Sequence, residues 1–227
     1  MATAAPASLA PRKRPRQARS AATLDAIFEA TIQVLLADGT RALTTTRVAE
    51  RAGVSVGTMY QYFPHKQSLI FALNERYLEV LAAKVEATCR AQIGKPVGEM
   101  LAALIATYWR AKTERAEVTR ALYRSVVEMD NEALVEAFAR RVDAATTAML
   151  ESAPDAAFAN LPIANLTLVT VIFGTIRNAF ERNLSEAAIE ALQVELLAMC
   201  RAYVGLAQHS APGQERHQCR HSRESAG

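Results

Sequence analysis

Glycine and proline are scarce in these 227 residues, nine and eight respectively. Long strand-like runs of Val, Ile and Thr bounded by turn residues are missing as well, which removes the usual signature of a sheet. Ala, Leu, Glu and Arg fill the space between the few breakers, and these are good helix formers, so an all-α fold is expected. Cysteine is also rare. Cys89, Cys200 and Cys219 are far apart, odd in number and without CxxC spacing, which argues against a disulfide framework and a zinc site. A reducing cytoplasm is the simplest location. The basic N-terminus is not followed by an apolar stretch, so no signal peptide is read there. No HExxH, GxSxG, P-loop or paired-carboxylate pattern occurs, which speaks against an enzyme, and no cofactor is implied. His217, Cys219 and His221 alternate near the end, in a polar tail that offers a metal no fixed geometry.

Acidic residues are missing from one place in particular. From Arg51 to Asn74 there is none. Residues 1–66 carry nine Lys/Arg against four Asp/Glu, whereas residues 67–211 carry 14 against 17. A basic N-terminal portion on a mildly acidic body points to a polyanion met at the N-terminal end. Charge is also missing from Ala156 to Ile176, 21 residues and long enough to span a bilayer. Asn160, Pro162, Asn165 and three threonines interrupt it, so a buried helix of a core or a subunit interface is the expectation.

Residues 1–19 are Ala/Pro-rich and then basic, and are expected to be a disordered arm. Two readings stand for it: entry into a minor groove, or a solvated tail that adds non-specific affinity. The first helix is expected over 20–37, with Leu24, Ile27, Phe28, Ile32 and Leu35 on one face. Asp38-Gly39 stops it. Thr44-Thr45-Thr46 supplies a cap for a short helix over 46–52, with Val48, Ala49 and Ala52 inward. Gly53-Val54-Ser55 makes a turn and a second cap, and a helix over 56–63 follows until Pro64 forbids its continuation. A long helix runs over 65–90. Further helices are expected over 97–113, 114–129, 131–151, 162–182 and 185–207, and a disordered tail over 210–227.

Two short helices joined by Ala52-Gly53-Val54-Ser55, after a longer helix, spell a helix-turn-helix. Glycine permits the sharp turn, Val54 plugs the space between the helices, and the second helix can then enter a major groove. Met59 and Phe63 are four apart and face inward. Gln61 carries an amide able to bond adenine bidentately. Val56 and Gly57 sit at the helix start, suited to thymine-methyl contact or to simple clearance.

These residues closely resemble the TetR-family DNA-binding signature. The likeness covers roughly residues 20–75. It includes the Ala52-Gly53-Val54-Ser55 turn, the Gly57-Thr58-Met59-Tyr60 opening, the Tyr62-Phe63 pair and Lys66. The resemblance implies an N-terminal three-helix DNA-binding domain over 20–66, joined through a long helix to a helical ligand-binding and dimerisation domain over 67–209. It places Tyr60 and Tyr62 on phosphate or groove contacts, and Thr45, Ser55, Thr58 and Lys66 at the DNA-facing helix starts and backbone. Thr46 and Arg47 sit where the family sometimes makes a base contact; for Arg47 a solvated surface role stands beside that one. The implied partners are double-stranded operator DNA, a small-molecule effector and a second copy of the chain, with no membrane. The implied function is a sequence-specific repressor released by its effector. A ligand-blind architectural DNA binder and an activator remain alternatives.

In the family the last two helices form an intersubunit four-helix bundle. Here both are apolar around most of their circumference and must bury more than one face. Ile163, Leu166, Thr170 and Phe173 on one, and Leu192, Leu196, Met199 and Tyr203 on the other, are the candidate interface. An effector pocket is implied among the middle helices. Its candidate lining is Met100, Leu104, Tyr108, Trp109, Tyr123, Met129, Phe138, Phe173 and Arg177, although each alone also reads as ordinary core. Arg177 is the first charge after the uncharged stretch, to be paired across an interface or to meet an anion.

Overall fold

The structure, a computed structural model, describes residues 18–126, 132–182 and 184–207. Among them there are nine helices and no strand: α1 Ala18–Ala42, α2 Thr45–Ala52, α3 Val56–Tyr62, α4 Lys66–Gln92, α5 Val97–Thr113, α6 Ala116–Val126, α7 Glu132–Glu151, α8 Leu161–Glu181 and α9 Glu186–Ala207. Residues 1–17 of the expected arm, the side chain of Tyr123, Met129 and the C-terminal tail lie outside the described residues, whereas positions 18 and 19, expected in the arm, belong to α1.

Residue chemistry accounts for most of the boundaries. Gly39 breaks α1 with φ 73°, and a last turn follows it. The expected start of α6 at 114 is corrected to 116, because the Glu114 N–H still bonds the Arg110 carbonyl at 2.9 Å and so completes α5. The α4 start is fixed by His65, whose Nδ1 accepts from Ser68 N–H at 3.1 Å while the Ser68 hydroxyl returns to the His65 carbonyl at 2.7 Å.

The chain packs as two units. The first comprises the described residues within Met1–Glu86 and Thr107–Val142. Ile27, Phe28, Leu43, Val48, Met59, Phe63, Leu69 and Leu73 build its core, joined by Val118 and Leu122 of α6. This unit takes in α4 as far as Glu86 and α6 as well as the helix-turn-helix, with Leu69 and Leu73 of α4 and Val118 and Leu122 of α6 in the shared core. Ion pairs Arg76–Asp25, Arg115–Glu29 and Arg141–Glu86 lie on its surface.

The second unit comprises Ala87–Ala106 and the described residues within Asp143–Gly227. The segment after α7 caps α5 here. Ser152 Oγ accepts from Gly94 N–H at 2.9 Å, and Asp155 Oδ1 accepts from Val97 N–H at 2.8 Å. Asn160 caps α8, accepting from Ile163 N–H at 3.2 Å. α8 packs against α9, with Leu168, Ile172, Ile176, Leu196, Cys200 and Val204 buried.

By length and hydropathy, both α1 from Ser20 and α8 are apolar enough to cross a membrane. α1 instead gives one face to the core of the first unit. On its other face Asp25, Glu29 and Asp38 are paired with arginines, which is the pattern of a core helix.

Candidate nucleic-acid interface

The helix-turn-helix is held by side-chain caps and a glycine turn. Thr44 Oγ1 accepts from Arg47 N–H at 3.2 Å and starts α2. Gly53 ends it in the left-handed region, φ 67° and ψ 28°. Its N–H bonds the Glu50 carbonyl at 3.2 Å and the Val54 N–H bonds that of Ala49 at 3.0 Å, the paired closure that satisfies a helix end with glycine at the turn. Ser55 then caps α3, accepting from Thr58 N–H at 3.0 Å, with its hydroxyl 2.8 Å from that of Thr58. Val54 is half-buried against the core, as its position in the turn suggested.

α3 divides into two faces. Met59, Tyr62 and Phe63 point inward. Val56, Gly57, Tyr60 and Gln61 form the exposed face, and Thr58 and Lys66 are half-exposed beside it. No acidic side chain belongs to α3 or to the segment after it as far as Asn74. Gly57 is not needed by the fold: a Cβ there would meet only Ser55 Oγ, at 3.8 Å. What glycine provides is a bare helix surface at the point where α3 begins.

Two residues expected at the DNA surface, Tyr62 and Thr45, are buried, and Arg47 is exposed but already paired. Tyr62 is 5% exposed, its ring packed beside Phe63. Aromatic area so placed belongs to the core. Thr45 is buried too, its hydroxyl 3.5 Å from that of Tyr60, so it braces Tyr60 and does not present itself outward. Arg47 is held at the joint of the first two helices: Nη2 reaches Asp38 at 2.8 Å and Nη1 the Ala42 carbonyl at 3.3 Å. Thr46 is exposed at the start of α2. Sequence reasoning did not single out His65 or Gln33. His65 caps α4 beside Lys66, and Gln33 accepts from Arg51 Nε at 2.9 Å. His65 was legible as a helix start just after the segment that Pro64 ends; Gln33 carried no signal.

A match to the model of the bacterial regulatory proteins of the tetR family covers residues 27–73, and a tetracyclin repressor-like C-terminal domain matches residues 96–203. The chain belongs to the TetR family. Among curated relatives, the HTH-type transcriptional repressor KstR of Mycolicibacterium smegmatis is 34% identical over 110 residues, 48% of this chain and 53% of that protein. The chain thus spans about half the length of the KstR proteins it matches. A TetR-family transcriptional regulator from Streptomyces coelicolor is 26% identical, with a TM-score of 0.57 over 82% of this chain and 99% of that one. A SmeT–triclosan complex shares the fold at 20% identity and a TM-score of 0.60, covering 85% and 98%.

In this TetR-family chain the remaining expected sites divide as follows. Met100, Leu104 and Tyr108 are buried, and Trp109, Phe138 and Phe173 are half-buried. Met100, Leu104, Phe173 and Arg177 belong to the second unit, whereas Tyr108, Trp109 and Phe138 belong to the first. Arg177 is exposed, and its Nε donates to Glu181 one turn on at 2.8 Å, so its charge already has a neighbour on its own helix. On the expected interface, Ile163, Leu166, Thr170 and Met199 are exposed, and Phe173, Leu192 and Tyr203 are half-exposed. Leu196 is corrected: at 2% exposure it is core of its own unit and has no surface to offer a partner. Val194 and Leu206, at 67% and 70% exposed, are apolar side chains on α9 that periodicity had not picked out. Among the described residues no group of His, Cys, Asp or Glu is arranged to hold a metal.

Proposed function

We propose that this chain is a sequence-specific repressor that binds a palindromic operator as a homodimer in the bacterial cytoplasm and is released by a small molecule. The observation that carries the reading is the outward face of α3. A capped seven-residue helix presents Val56, Gly57, Tyr60 and Gln61 with no acidic side chain on it and no protein contact that explains the bare Gly57. Gln61 reads a base edge through its amide, and Val56 and Gly57 allow close approach to the groove floor. Thr46, Thr58, Tyr60 and Lys66 hold the backbone and fix the register.

Dimerisation is supported by the exposed apolar side chains of α8 and α9, which a solitary chain would leave in water. Two heads related by a twofold axis meet half-sites about one helical turn apart. Repression follows the name of the KstR relatives, and release by a small molecule follows the like-folded SmeT complex with triclosan. Release requires that the effector bind the DNA-incompetent state better; equal affinity for both states shifts nothing. Linkage then makes the effect reciprocal, so operator weakens effector binding by the factor with which effector weakens operator binding.

Selection of binding sites from a random duplex pool tests the reading. A palindromic consensus is expected, with relaxed preference at one position per half-site in Gln61→Ala. An unselective pool, bound only through salt-dependent contacts, would overturn it.

A further inference from the structure

Away from the DNA-facing surface, the first unit contains a cleft of about 290 Å³ bounded by α1, α4, the end of α5 and α6. That volume is near the lower end for small-molecule sites, about 300–1,000 Å³. Ile32, Leu73, Val118 and Leu122 give it apolar walls, and Val80, half in solvent, stands at its mouth. Its uncharged polar lining is Tyr77 and Thr119, the latter only 1% exposed in the wall of the cleft.

Behind that lining lies Lys112, only 2% exposed. Its ammonium donates to the Tyr77 oxygen at 3.0 Å and sits over the rings of Tyr77 and Tyr108, 5.0 and 5.1 Å from their centroids. An ammonium can only donate, so Tyr77 is the acceptor in the first bond. Tyr77 accepts from Lys112 and passes its own proton toward Thr119 Oγ1 at 3.4 Å. Thr119, having accepted, has a proton to give to an acceptor. Burial holds the Tyr77 phenol above its ordinary range, against a smaller lowering by Thr119, so it stays neutral and keeps donating. The relay therefore runs one way, from a buried positive charge toward an apolar cleft. Arg76, Lys84 and Arg115 line the same cleft, each already ion-paired, with Asp25, Glu114 and Glu29 respectively.

We propose that this cleft is a binding site for a small monocarboxylate with an apolar body, whose carboxylate accepts from the Thr119 hydroxyl in front of the Lys112 charge. The apolar body lies along Leu73, Val118 and Leu122. Desolvating a carboxylate in such a cleft is unfavourable without a charge-assisted partner, and the Lys112–Tyr77–Thr119 relay supplies one. Neutral amides and alcohols of the same length gain the apolar contact and an ordinary hydrogen bond from Thr119, but not the charge-assisted one.

Calorimetric titration of octanoate into the DNA-free full-length protein tests this, with octanamide as the uncharged comparison. Saturable binding of octanoate is expected, with octanamide weaker by about tenfold or more. Val80→Trp, a change at a half-exposed position, should close the mouth and abolish binding while the thermal transition stays in place. Thr119→Val, nearly the same shape, should bring octanoate down to the level of octanamide. Lack of saturable binding, equal affinity for the amide, or octanoate binding unchanged in Val80→Trp would each overturn the proposal. Because no DNA is present, failure here is separate from failure of the operator-binding reading.

Discussion

The helix-turn-helix and the α8–α9 pair present opposite problems to the same rules of burial. In the first, two helices of eight and seven residues are amphipathic, and the boundaries around their turn are set by a named side chain or glycine: Thr44, Gly53 and Ser55. In the second, two helices of 21 and 22 residues are apolar on nearly every side. Where polar and apolar residues alternate sharply, periodicity determines which side chains go inward. Where almost everything is apolar, periodicity finds the helix but leaves its rotation open.

The largest expected effect exploits that ambiguity. Leu196 and Met199 are three residues apart on α9, yet one is buried and the other 49% exposed. Leu196→Glu places an unpaired carboxylate in the core and should abolish cooperative folding. Met199→Glu should leave circular dichroism and the thermal transition near wild type while sedimentation shows monomer in place of dimer. If the two variants behaved alike, the division of α9 into a core face and a partner face would be lost. A wild-type chain that sedimented as a folded monomer would remove the dimer altogether.

At the helix-turn-helix the contrast is between stability and recognition. Gly57→Ala adds a methyl that meets only Ser55 Oγ, and alanine is the better helix former by about 1 kcal/mol. Stability should hold or rise while operator affinity falls. Gln61→Ala should cost about 1–3 kcal/mol of operator binding and relax one base position. Fluorescence anisotropy with the selected site measures both, and chemical denaturation gives the stability. Gly57→Ala with undiminished operator affinity would mean that α3 does not approach the groove floor at that point.

Much of this was legible in the sequence, and the reasons differ by residue. Caps and turns carry their chemistry in single side chains, so Gly53, Ser55 and the threonine run that holds Thr44 were readable, and Met59 and Phe63 faced inward as their spacing required. Tyr62 was misplaced because an aromatic with a hydroxyl suits either a core or a phosphate contact, and only the rotation of α3 decides between them. The division into units was hidden for another reason: Val118 and Leu122 lie far along the chain from the core they complete, and no local pattern records a long-range contact. The Lys112–Tyr77–Thr119 relay was invisible on the same ground.

Cap geometry gives a smaller, graded effect. Ser55 accepts from Thr58 N–H at 3.0 Å, whereas Ser185, before α9, is 3.4 Å from Ala188 N–H. Ser55→Ala should cost about 1 kcal/mol, seen as a lowered denaturation midpoint, and Ser185→Ala distinctly less. Equal losses would show that capping serves both regions alike, and that the sharper boundaries at the helix-turn-helix come from packing.

The smallest effect decides the role of Arg47. Its pair with Asp38 is partly exposed, 49% for the Arg47 side chain and 33% for that of Asp38, and such pairs are worth roughly 0–1 kcal/mol. If Arg47 only braces the joint between α1 and α2, then Arg47→Ala and Asp38→Ala should each cost the same few tenths in stability. The double variant should cost no more than either, and operator affinity should stay level throughout. If Arg47 instead reaches a base, Asp38 competes with the operator for its guanidinium. Asp38→Ala would then tighten operator binding while Arg47→Ala weakens it, and the two changes would have opposite signs whatever their size. Stability and anisotropy measured on the full double-mutant cycle separate these outcomes, because a brace moves only the first and a reader moves the second. The two bonds holding Arg47, to the Asp38 carboxylate and the Ala42 carbonyl, favour the brace.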